Sequence, residues 1–80
     1  MSERLKFQGR LVEKQQESKS LQLRMEGLRD SIREILDPFE SVENLNVDIA
    51  TEQVFELARL HIDYMRTLAE ITAIKKALGK

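Results

Sequence analysis

The chain has 80 residues, with 13 Lys and Arg against 14 Asp and Glu, one His, no Cys and a formal net charge of −1. That length holds one domain, and a domain so small buries too little apolar area to stand comfortably alone, so self-association is a usual remedy. Disulfide staples are excluded by the missing cysteine, a zinc site by the lone His61, and a membrane span by the lack of about 18 consecutive apolar residues.

The opening MSERLKFQGR is too charged for a signal peptide, and with the cysteine-free composition it fits a cytoplasmic protein. A first helix is predicted over residues 2–36. Ser2 serves as N-cap and Glu3 suits the positive end of the helix dipole. Phe7, Leu11, Leu21, Met25, Leu28, Ile32 and Ile35 fall on one heptad seam, interrupted by the polar Lys14 and Ser18. The seam is therefore strong from Leu21 onward and weaker before it. A rod of this length cannot bury its own seam.

Asp37-Pro38 ends that helix, because proline disfavours the helical conformation at the residue before it. A connection over residues 37–50 follows, with a short helical turn expected near 38–43, Asp37 as its cap and Glu40 closing a capping box. Phe39, Val42, Leu45, Val47 and Ile49 make this connection unusually apolar. They are expected to fold back and plug the end of the helix pair; an exposed docking surface for another protein is the alternative.

The second helix is predicted over residues 51–78, capped at Asp48 or Thr51 and stopped by Gly79. It contains neither Pro nor Gly. One stripe on it, Val54, Leu57, His61, Tyr64, Leu68 and Ile71, is expected to pack against Leu21, Met25, Leu28, Ile32 and Ile35 of the first helix. A second stripe, Ala58, Ile62, Met65 and Ala69, makes the apolar face wider than one neighbouring helix can cover. The expected architecture is all-α: an antiparallel hairpin of two long helices in one domain, dimerising into a four-helix bundle or coiled-coil-like assembly, with the second stripe as the subunit contact.

Charge is unevenly spread. Residues 37–56 carry six acids and no base, whereas an antiparallel hairpin gathers Arg4, Lys6, Arg10, Lys75, Lys76 and Lys80 at the opposite end. An antiparallel homodimer sets each basic end beside its partner's acidic end. Arg4, Lys6, Arg10, Lys75 and Lys76 are also the candidate anion contacts. Glu3, Glu13 and Glu17 are interleaved with the bases of the first helix, and the whole chain is slightly acidic, which argues against nucleic acid as the partner.

Nothing in the sequence specifies catalysis. His61 has Asp63 close in sequence, but two residues on along a helix points elsewhere, and no nucleophile motif, phosphate loop or di-iron Glu-x-x-His repeat is present. No catalytic, cofactor or metal residue is assigned, and His61 reads as a half-buried core residue. Finally, Leu36-Asp37-Pro38-Phe39-Glu40 and Ala73-Ile74-Lys75-Lys76-Ala77-Leu78-Gly79 resemble stretches of small all-α proteins of unknown function from Mu-like bacterial prophages. The resemblance covers residues 28–80 and brings no catalytic residues. It implies a bacterial cytoplasm and a phage-related accessory role. The function expected is a non-enzymatic structural module that self-associates. The alternatives are an adaptor binding a host or phage protein through the Phe7–Ser18 part of the first helix, and a nucleic-acid binder using the basic end.

Overall fold

A heptad repeat on each of two long helices closes the chain into an antiparallel hairpin. The computed structural model describes residues 2–79. Helix α1 spans Glu3–Ile35, a single 3₁₀ turn spans Val42–Asn44, and helix α2 spans Val47–Ala77. No strand is present among the described residues. The hairpin is a rod of 61 × 17 × 16 Å.

Helix α1 begins as its sequence dictates: the Ser2 Oγ accepts a hydrogen bond from the Arg4 backbone N–H at 3.1 Å, satisfying one of the free donors of the first turn. Its seam is the predicted one. Leu11 and Leu21 are buried, while Phe7, Met25, Leu28, Ile32 and Ile35 are half-buried against α2. The two polar seam positions each find a partner. The Ser18 hydroxyl donates to the Gln15 carbonyl at 2.9 Å. The Lys14 ammonium bridges Glu70 of α2 at 2.9 Å and Glu17 of its own helix at 3.3 Å. Those two carboxylates, Glu70 first, raise the Lys14 pKa above its ordinary 10.5.

The seam of α2 lies elsewhere than predicted. It runs through Ala50, Gln53, Leu57, Leu60, Tyr64, Thr67, Ile71, Ile74 and Leu78, alternating three and four. Leu57, Tyr64 and Ile71 belong to both versions, and Leu68 packs half-buried at the edge of the Leu11–Ile71–Ile74–Leu78 cluster. Val54, at 48 % exposure, and the exposed His61 fall outside the seam. Helix α2 carries apolar residues on both flanks of Leu57, Tyr64 and Ile71, so the period alone permits either choice. Cross-helix charge favours the observed rotation, which turns Glu56 and Glu70 toward Arg24 at 3.8 Å and Lys14 at 2.9 Å. The rotation places Thr67 inside, where its hydroxyl donates to the Asp63 carbonyl at 2.9 Å. It also leaves the Gln53 Oε1 buried without a hydrogen-bond partner.

The connection departs further from expectation. Helix α2 starts at Val47 after Asn46, four residues before Thr51, because Ala50 at 4 % exposure is already a seam residue. Thr51 is no cap; its hydroxyl donates back to the Val47 carbonyl at 2.9 Å. The Asp37 carboxylate does cap a turn, accepting from the Phe39 N–H at 2.9 Å, yet the helical turn follows later, at Val42–Asn44. These turns, tied by Asn44 side-chain bonds to Glu40 and Ser41, hold the segment off the end of the rod. Phe39 is 95 % and Val42 80 % exposed, so they do not plug the hairpin; of the five apolar residues only Leu45 is half-buried. At the other end α2 stops as predicted, with Gly79 at φ 74°, a conformation that costs glycine little.

The revised seam separates two adjacent residues. Leu60→Ala is expected to cost about 2–4 kcal/mol of unfolding free energy, as truncation of a buried leucine does. His61→Ala is expected to cost less than about 0.5 kcal/mol, as at an exposed position. Urea unfolding of both variants at one protein concentration checks this.

Candidate interaction surface

The hairpin has two unlike flanks. On one, charged residues cross between the helices: Lys14 to Glu70, and Arg24 to Glu56 at 3.8 Å. On the other, an open groove of about 540 Å³ is lined by Gln22, Met25, Glu26, Arg29, Val54, Leu57, Ala58, His61 and Tyr64. Uncharged side chains dominate this second flank. Such a groove with no cover is where a protein surface takes a partner.

From the groove the apolar surface continues around the outside of α2. Phe55 is 69 %, Ile62 60 % and Met65 51 % exposed, and Ala58 and Ala69 are exposed beside them. The four residues predicted for a subunit contact, Ala58, Ile62, Met65 and Ala69, therefore all lie on the surface of the single hairpin. Phe55 belongs with them and is missing from the predicted set; its place seven residues before Ile62 is the signal that finds it. Near the connection, Leu36, Val47, Val54 and Phe55 line a second apolar hollow of about 250 Å³.

The basic end is assembled as the sequence predicts. Arg4 Nη1 donates to the Leu78 carbonyl at 3.5 Å, which brings the start of α1 to the end of α2. Lys6, Arg10, Lys75 and Lys76 are exposed around that contact; Lys80 lies outside the described residues. Phe7 and Leu11 of the expected adaptor segment pack on Ile71, Ile74 and Leu78, while Gly9, Arg10, Val12, Glu13, Gln15, Gln16 and Glu17 of the same stretch are exposed.

His61 sits in the open groove, and Asp63 turns to Arg66 at 3.8 Å. Among the described residues no group of three or more His, Asp or Glu could hold a metal ion, and no helix is long and apolar enough to cross a membrane. Compared with known proteins, the chain matches no family model, no curated protein and no solved structure.

The bared connection has a direct readout. Chymotrypsin in limited digestion is expected to cut first after Phe39, because proteases take extended, exposed chain before helix. Phe55, exposed but helical, is expected to resist. Mass spectrometry of the first fragments checks the order; equal cutting after Phe55 contradicts it.

Proposed function

We propose that this chain is a non-enzymatic structural module that self-associates through α2 as an antiparallel homodimer. The observation that carries the reading is the row Phe55, Ala58, Ile62, Met65 and Ala69, bared on a helix whose opposite side is already occupied by α1. A second copy is the simplest cover, since small domains gain stability that way. Charge supports the antiparallel sense, which sets the base-free segment 37–56 of one copy beside the basic end of the other. Exposed charges are screened within about 8–10 Å at ordinary salt, so they bias the orientation rather than drive association. A phage-related accessory role in a bacterial cytoplasm is part of the same proposal.

A second reading, an adaptor for another protein, is favoured by one observation: Phe39 and Val42 stand bare at the tip, among Asp37, Glu40 and Glu43. That surface, together with the exposed face of the Phe7–Ser18 segment, suits a heterologous partner. Nucleic-acid binding draws less support, because Glu3, Glu13 and Glu17 are interleaved with the bases of α1 and the chain is slightly acidic overall.

Sedimentation equilibrium tests the main reading. The unaltered chain is expected to be a dimer at micromolar concentration. Ile62→Asp is expected to raise the dissociation constant at least about tenfold, because burying an unpaired carboxylate costs more than about 1.4 kcal/mol. Helix content by circular dichroism stays unchanged, since Ile62 lies outside the seam. A folded monomer for the unaltered chain at these concentrations contradicts the proposal.

A further inference from the structure

Helix α2 runs from Val47 to Ala77, and Ile62 stands fifteen residues from each end. About that midpoint, one line of exposed residues recurs every seven: Asp48, Phe55, Ile62, Ala69 and Lys76. A spacing of seven is two helical turns, so the five share one outward stripe. Read from either end, the stripe is an ion, an apolar residue, Ile62, an apolar residue and an ion of opposite sign. The apolar members are a large residue on one side and a small one on the other.

From this we propose the register of the dimer: a two-fold axis at Ile62, with α2 lying antiparallel on the partner's α2 over its full length. The inference rests on the self-association reading above and fixes its geometry. An isologous interface repeats every contact twice, so the stripe must complement its own reversed copy. It does. Phe55 meets the partner's Ala69, large against small, and Ala58 falls within one residue of the partner's Met65 in the same sense. Asp48 meets the partner's Lys76. Among the described residues neither Asp48 nor Lys76 has an ion-pair partner within the hairpin, whereas Lys14, Arg24 and Arg66 do. A shift of one heptad one way sets Asp48 against the partner's Ala69 and large Phe55 against the partner's Ile62; the other way it sets Asp48 beyond the end of α2 and Phe55 against the partner's Lys76. The parallel arrangement sets Phe55 on Phe55, and Asp48 and Lys76 each on its own kind.

Because the chain has no cysteine, single cysteines placed on the stripe read the register directly. Under mild oxidation Ile62→Cys is expected to form a disulfide dimer. Phe55→Cys alone and Ala69→Cys alone are expected not to, while an equimolar mixture of the two cross-links. Self-linking of Phe55→Cys, or failure of both Ile62→Cys and the mixture while the unaltered chain sediments as a dimer, overturns the register and leaves self-association intact. Sedimentation of the unaltered chain as a monomer overturns both. Charge exchange gives an independent arm that keeps the apolar contact. At low salt Asp48→Lys is expected to weaken the dimer about tenfold through its two symmetry-related pairs, and Asp48→Lys with Lys76→Asp to restore it within about twofold. No weakening by the single change, or no rescue by the double, counts against the register.

Discussion

The constraint from which the rest follows is that α2 carries more apolar surface than α1 can hide. A two-helix contact covers one seam about two residues wide, and here it takes Leu57, Leu60, Tyr64, Ile71, Ile74 and Leu78. Phe55, Ile62 and Met65 remain in solvent on the far side. Helix α1 has no comparable surplus: outside its seam, Leu5, Val12 and Leu23 are isolated among charged and polar residues. Scattered exposed apolar residues are normal on any protein, whereas a continuous row is not.

Electrostatics works on the same hairpin at two scales. Locally, Glu70 and Glu56 face Lys14 and Arg24 across one flank, in keeping with the observed rotation of α2 about its axis. Exposed pairs of this kind contribute little stability; what they add is a charged complement along one flank of the hairpin. Along the rod, the split between an acidic connection and a basic pair of termini gives each hairpin a polarity. That polarity favours opposed packing of two copies, and the Asp48 and Lys76 stripe positions express it residue by residue.

The legibility of the fold varied with how one-sided each helix is. Helix α1 could be read almost completely, seam and caps, because most of its apolar residues sit on one line and the polar exceptions find partners, Ser18 on its own helix and Lys14 on Glu17 and on Glu70 of α2. Helix α2 could not, because apolar residues flank Leu57, Tyr64 and Ile71 on either side; Val54 and His61 were as plausible by spacing as Leu60 and Ile74. Gln53 and Thr67 in the true seam disguised it further. The rotation depends on partners on the other helix, which spacing within α2 does not contain. The connection failed for another reason: its apolar residues suggested a plug, while short-range bonds from Asp37, Glu40 and Ser41 hold Phe39 and Val42 outward. The exposed stripe itself was legible, since surplus apolar width shows in the pattern whichever seam is chosen.

The central claim concerns which isoleucines of α2 meet water, and methyl NMR with a soluble paramagnetic probe measures that directly. Ile71 and Ile74, 8 % and 4 % exposed within the hairpin, serve as internal references for full protection. As protein concentration rises into the dimer range, the Ile62 methyl is predicted to become as protected as they are. An Ile62 methyl that stays fully relaxed by the probe at every concentration would contradict the account.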